Sequence, residues 1–257
     1  MKKFIFFLAW ATITTGSALA RTIVTDRPDF ADATVTVPVG IIQVECGYAF
    51  SKVSSAEQHT FGQWLVKTGL SSRLELRLGI ESYQKVSQPL NDISGFGDGS
   101  LGFKVRLHEG RGGTGPGSFN LTAIVFSSVP SGNREFRAAH LKPGVMFTSD
   151  LALSPAWTLA PFVQYVYTGD SSGQYSELSA GFSVVRALGE RAAWFVEYFG
   201  IVAQKNYRQD THSLGTGLTC LLADNVQIDL YGGAALNGIM PDYYLGAGLS
   251  FMVDVAK

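Results

Sequence analysis

Two groups of residues in this chain could do chemistry. The first is His59, His108, His140 and His212, with Asp210 two positions before the last. An acid beside an imidazole is part of a hydrolase's machinery and needs a nucleophile that the imidazole can deprotonate. No H-x-x-x-H spacing suggests a zinc site, so no metal is expected. Asp210 and His212 read as ordinary loop residues. A serine paired with His59 or His212 in a loop is the enzymatic alternative. The second group is regular. In "RLELRLGIE" at 73–81, Leu74, Leu76, Leu78 and Ile80 take every second place, and Arg73, Glu75, Arg77 and Glu81 fill most places between. Side chains alternate across a strand, so one face is aliphatic and the other charged. Such a strand suits a soluble sheet with its leucines in a core, or a barrel with its leucines in lipid and its charges in a wet lumen.

The same period-two pattern runs from residue 41 onward. "IIQVECGYAFS" puts Ile42, Val44, Cys46, Tyr48 and Phe50 on one face, and "SLGFKVRLH" does so with Leu101, Phe103, Val105 and Leu107. "VQIDLYGGAALN" and "YYLGAGLSFMV" continue it near the C-terminus. Less regular strands fit at about 60–68, 119–128, 140–149, 157–168, 175–187, 192–203 and 211–222. About twelve strands result, and no helical period stands out. Short connections fall at 69–72, 188–191 and 223–225, and longer polar ones near 53–59, 85–97, 130–139, 169–174 and 204–210. That alternation is the habit of outer-membrane barrels. The glycine-rich stretch at 109–118 sits where a short turn is expected. "GFGDGS" at 95–100 opens a strand and so lacks the helix N-terminus that a phosphate-binding loop needs.

The face opposite the apolar one is rich in small residues: Gly47, Gly79, Gly102, Gly144, Ser179, Gly181, Gly215, Gly217, Gly233, Gly246 and Gly248. Glycine is disfavoured in ordinary strands and suits places needing room or curvature, as a concave lumen does. Aromatic residues lie towards strand ends, where membrane interfaces would hold them. Twelve strands also enclose more space than a soluble core packed by side chains fills. The expected fold is therefore all-β, a single antiparallel transmembrane β-barrel of about 12 strands.

The 257-residue chain begins "MKKFIFFLAWATITTGSALA", with two lysines, an apolar stretch and an A-x-A-like end. We read residues 1–20 as a secretory signal cleaved near Ala20, residues 21–40 as a periplasmic extension or small plug, and residues 41–257 as the barrel. Removing Lys2 and Lys3 leaves 18 basic against 21 acidic residues. Mean hydropathy is +0.14. These values exclude a disordered chain or a strongly basic nucleic-acid-binding one. Cys46 and Cys220 are too few for a disulfide framework and fall on strands that are not neighbours.

Several segments resemble the family labelled "Putative MetA-pathway of phenol degradation". They are "TDRPDF" at 25–30, "VPVGIIQVECGYAFS" at 37–51, "KTGLSSRLELRLGIESY" at 67–83, "GFGDGSLGFKVRL" at 95–107, "FVEYFG" at 195–200, "GLTCLLADNVQIDL" at 217–230 and "PDYYLGAGLSF" at 241–251. The resemblance implies a barrel in the outer membrane of a Gram-negative bacterium, acting in uptake or transport. Such barrels commonly end on an aromatic residue; here Phe251 is followed by "MVDVAK". The expected function is passive passage of small solutes, hydrophobic or aromatic ones among them, with a closed structural or ligand-binding barrel as the alternative. Glu45, Arg73, Glu75, Arg77, Glu81, Lys104, Arg106, Lys142, Glu177, Glu197 and Asp229 are the pore-lining candidates. They select solutes by charge or pair across strands and fill the lumen. Outer-membrane lipid and a small-molecule solute are the expected partners, with no nucleic acid, no cofactor and no catalytic residue.

Overall fold

A computed structural model describes residues 22–80, 82–110, 116–170, 173–203, 210–237 and 241–255. Its elements are strands: β1 (Ile41–Val53), β2 (Ala56–Gly69), β3 (Leu74–Ile80), β4 (Tyr83–Gln88), β5 (Asn91–Phe96), β6 (Gly99–His108) and β7 (Phe119–Val129). They continue with β8 (Lys142–Ser154), β9 (Trp157–Asp170), β10 (Gly173–Ala187), β11 (Ala192–Ala203), β12 (Thr211–Ala223), β13 (Val226–Asn237) and β14 (Tyr243–Asp254). Every pairing between these strands is antiparallel, and β1 pairs with both β14 and β2, which closes the sheet into a barrel. The lower half of β2 pairs with β3 and its upper half with β4, while β3 continues to β6 and β4 to β5. Thus β3 with β4, and β5 with β6, each make one stave, and the fourteen segments form the twelve staves of the wall.

The leucines of residues 73–81 face outward. Leu74, Leu76 and Leu78 stand opposite Val105, Phe103 and Leu101, while Glu75 stands opposite Lys104 on the inner face. Leu230 on the outer face is 62% exposed, whereas Glu75 and Lys104 are fully enclosed. A soluble protein would show the reverse. The only arrangement that satisfies both faces places the apolar band in lipid, with every backbone group paired around the closed ring. The barrel therefore spans an outer membrane.

Three connections differ from the sequence expectation. At 169–174, read as a longer loop, β9 runs to Asp170 and β10 begins at Gly173. Residues 85–97, read as a long loop, form most of the β4–β5 hairpin, which turns at Pro89-Leu90. Residues 53–59 contain only a two-residue turn, Ser54-Ser55, before β2 begins. Here the strands carry polar side chains on both faces: Glu57, Gln58, His59 and Thr60 pair with Ser87, Val86, Lys85 and Gln84. The ladder persists where the staves rise past the apolar band, so alternation of hydrophobicity fades while the strand does not. Residues 130–141 do form a connection outside the strands. They are fastened down by Asp98, which accepts hydrogen bonds from the backbone N–H groups of Ser131, Gly132 and Ala138.

Cys46 and Cys220 are free thiols. Leu230→Arg is expected to cost about 2–4 kcal/mol in reversible unfolding from lipid vesicles, the cost of a charge on the lipid face of a barrel near mid-membrane. An unchanged unfolding midpoint would show that Leu230 does not face lipid.

Candidate functional site

The chain before β1 runs through the interior of the barrel, and its polar groups meet the charges of the inner wall. Asp26 is the centre of these contacts. Its Oδ2 lies 2.6 Å from Lys67 Nζ of β2 and 2.7 Å from Arg77 Nη1 of β3, and its Oδ1 lies 2.6 Å from Lys104 Nζ of β6. Burial disfavours the Asp26 carboxylate, but Arg77, Lys104 and Lys67 together hold its pKa well below the ordinary value. Further carboxylates share the same cations: Glu45 with Lys67 at 2.5 Å, Asp32 with Arg77 at 2.8 Å, and Glu75 with Arg77 at 3.3 Å. The wall carboxylates also bind the segment's backbone. Glu45 accepts the N–H groups of Asp26 and Arg27, Glu75 that of Val37, and Glu197 that of Phe30. Buried ion pairs repay their desolvation only when the remaining lone pairs and protons are also satisfied. Here the segment's amides and carbonyls supply that, as in the 2.8 Å bond from Lys104 Nζ to the Ala33 carbonyl.

The inner-face glycines make room for these contacts. A Cβ at Gly47 or Gly248, which face each other across β1 and β14, would overlap the Arg27 guanidinium. Arg27 reaches Asp229 there at 3.2 Å and lies 5.6 Å from the centre of the Tyr231 ring. Elsewhere glycines sit beside inward aromatic rings: Gly144 beside Phe126, Gly181 beside Phe199, Gly217 beside Phe195, and Gly246 beside Tyr231. Packing of this kind divides the lumen into two walls. One, from β1, β2, β3, β6 and β13, is charged. The other, on β7, β8, β9 and β11, presents Ile124, Met146, Phe162 and Phe199, which enclose Ala31 of the segment. Phe30 packs on Phe199 with ring centres 3.9 Å apart and the rings tilted by 38°.

The family model described as "Putative MetA-pathway of phenol degradation" matches residues 25–253. The chain belongs to this family. Membership covers the Asp26 segment as well as the barrel. Among solved structures, the chain is similar to an outer membrane channel from Pseudomonas putida F1, with TM-score 0.69 and 16% identity over 86% of this chain and 98% of that one. It is also similar to the NanC porin, with TM-score 0.57 and 10% identity over 82% and 98% of the two chains. A third similar structure is the CymD monoaromatic hydrocarbon channel, with TM-score 0.51 and 7% identity over 85% and 89%. At these identities the likeness establishes the barrel fold. No curated protein matches in sequence.

Within this family member the pore-lining candidates divide by position. Glu45, Glu75, Arg77, Lys104, Glu197 and Asp229 are buried in the lumen and all contact residues 26–37. Arg106 is half-buried near one end, 3.0 Å from Glu109 and 3.5 Å from Thr36 Oγ1. Lys142 and Glu177 are half-buried on β8 and β10, and Arg73 is exposed in the turn before β3. Glu81 lies outside the described residues. The histidines are apart from this cluster. His59 Nδ1 is 2.8 Å from Tyr48 Oη and His212 Nδ1 is 2.7 Å from Tyr198 Oη, both at tyrosines on the outer face. "GDSSG" at 169–173 has the G-x-S-x-G spacing of a nucleophile elbow, but Ser171 and Ser172 lie outside the described residues, and the elements on either side are the strands β9 and β10 where the elbow needs a strand followed by a helix. Among the described residues no cluster of His, Cys, Asp or Glu could hold a metal ion.

Sequence reasoning missed the inward apolar wall. Its strands are apolar on both faces in part of their length, so they read only as irregular. The second large inward residue beside a glycine, as with Phe126 and Gly144, is the signal that could have found it.

Asp26→Asn leaves Lys67, Arg77 and Lys104 facing a neutral amide. Removing one partner from a buried ion pair costs on the order of 3–5 kcal/mol. Hydrogen exchange at the amides of residues 23–37 is expected to accelerate at least tenfold, with the amides of β12 and β13 unchanged. Equal protection in both proteins would mean that the ion cluster does not hold the segment. Because the Asp26 pKa is lowered, its contribution is present above the ordinary carboxylate pKa and is lost only as pH falls through the lower folded value.

Proposed function

We propose that this barrel passes small solutes, apolar and aromatic ones among them, across the outer membrane by passive diffusion, with residues 22–37 acting as a plug. The observation that carries this reading is the apolar inner wall, where Ile124, Phe126, Met146, Phe162 and Phe199 face the lumen. A passage for hydrophilic solutes has no use for that surface, because wetting it costs free energy. Membership of a family whose description refers to phenol degradation supports the same solute class, as does fold similarity to a monoaromatic hydrocarbon channel. Asp26 and its partners fill the charged half, Phe30 and Ala31 cover part of the apolar wall, and a space remains beside Phe30, Ile124, Phe126 and Met146.

In this reading nine of the eleven candidates have one of two tasks. Glu45, Glu75, Arg77, Lys104, Glu197 and Asp229 hold the plug, while Arg106, Lys142 and Glu177 touch passing solutes near the ends of the lumen. No catalytic step is assigned to His59, Asp210 or His212. A closed ligand-binding barrel is the second reading, favoured by the number of buried ion pairs that cross the lumen.

Planar-bilayer conductance separates the two. The mature protein is expected to give small or infrequent steps, and a variant lacking residues 22–37 defined steps at least threefold larger. A folded deletion variant that stays silent would favour the closed barrel. Arg106→Gln in the deletion background is expected to move the reversal potential toward cation preference, and an unmoved potential would remove Arg106 from the passage.

A further inference from the structure

Between the segment and the apolar wall lies a cavity of about 310 Å³, at the lower end of the range for small-molecule sites. Phe30, Leu65, Ile124, Phe126 and Met146 give it an apolar body wide enough for a single ring. Its polar groups are Asp29, Asp32, Arg77, Ser100 and Gln164. Arg77 is the one cation among these lining residues, and it is already engaged. Its Nη1 lies 2.7 Å from Asp26 and 3.3 Å from Glu75, and its Nη2 2.8 Å from Asp32. A ligand carboxylate entering here would have to displace one of those carboxylates and then lie beside Asp29 and Asp32.

The acids of this cavity are only partly engaged: Asp32 meets Arg77 through one oxygen, and the Ser183 hydroxyl stands against Asp29. Asp29 and Asp32 are half-buried residues that line this space. Burial together with the neighbouring Glu197 pushes the Asp29 carboxyl well above its ordinary pKa, so it readily takes up a proton from an approaching donor. Near Asp29 stands a second acid, Glu197, and no ion pair among the described residues involves either of them. Gln164 and Ser100 can each accept or donate, so the two acids are the groups that set the sign of the cavity. A slot with apolar side chains on one side and two acids on the other, whose guanidinium is taken, complements a ring bearing a group that donates hydrogen bonds.

We propose that this cavity binds single-ring solutes with a hydrogen-bond-donating head, a hydroxyl or a protonated amine, and rejects the corresponding carboxylates. The assignment deepens the proposed passage and rests on such solutes reaching the lumen. Discrimination arises from the unpaired charge a carboxylate would meet, the kind of penalty that separates close analogues most strongly.

Benzyl alcohol, benzylamine and benzoate share one ring and one chain length, and benzylamine is protonated at neutral pH. Titration calorimetry on the full mature protein in lipid nanodiscs is expected to show the amine and the alcohol binding at least tenfold more tightly than benzoate. Ile124→Trp fills the slot and should abolish all three heats. Met146→Phe serves the same purpose if the first variant loses its heat-modifiable migration on a gel. Asp29→Asn should weaken benzylamine at least fivefold while leaving benzyl alcohol within twofold. Benzoate binding as tightly as the other two would overturn the proposal, as would heats that survive in both filled variants or the absence of binding by all three. Solute flux through the plug-deleted barrel is measured separately, so failure of this site is distinguishable from failure of the passage.

Discussion

Lys67, Arg77 and Lys104 come from three neighbouring staves and point into one region of an enclosed lumen. Three cations held this close would each raise the free energy of the others, and the wall carboxylates Glu45 and Glu75 offset only part of that. The remaining charge is supplied by Asp26, from a segment with no strand structure of its own. Both oxygens of one carboxylate meet all three cations. The interior of the barrel and the conformation of residues 22–37 therefore depend on each other. Without the segment the wall would hold its charges only in water, and without the wall the segment would have no reason to fold.

That dependence explains the composition of the inner face. A lumen lined throughout by large side chains would leave no space for a returning chain. Gly47 and Gly248 form a flat floor on which Arg27 lies, and Gly69 faces the Val37 carbonyl closely enough that a Cβ there would collide with it. Where the segment is absent, the barrel fills the same kind of gap with its own rings, as Tyr244 does over Gly215 and Gly233. Glycine thus weakens individual strands while allowing the interior to be packed, and the closed ladder of hydrogen bonds supports the strands instead.

The barrel was legible in the sequence because lipid imposes one solvent on every outward side chain. Leu74, Leu76 and Leu78 obey the same rule as Leu245 and Leu249, at opposite ends of the chain. The rule lapses where the staves leave the membrane. For that reason the strands around His59 and Lys85 looked like loops, although their ladder is unbroken. The inner face obeys no single rule. Arg77 and Lys104 stand out as charged residues at alternating places, but their shared partner Asp26 lies 51 and 78 residues away in the chain. Nothing local to "TDRPDF" announces which cations it meets.

The apolar wall was the harder feature to read, for a physical reason. An inward phenylalanine is indistinguishable in sequence from an outward one, and only register decides between them. Phe126 faces inward because it stands opposite Gly102 and Gly144, while Phe103 one stave away faces lipid opposite Val125. The two have the same chemistry and different solvents. In a barrel, then, charge on a strand reveals the lumen side, and a lumen that is partly apolar conceals its most specific surface among residues that look as if they belong to the membrane. The half of the lumen that holds Asp26 is the half that charge patterning exposes. The apolar half is set by the pairing of Phe126 with two glycines on adjacent staves.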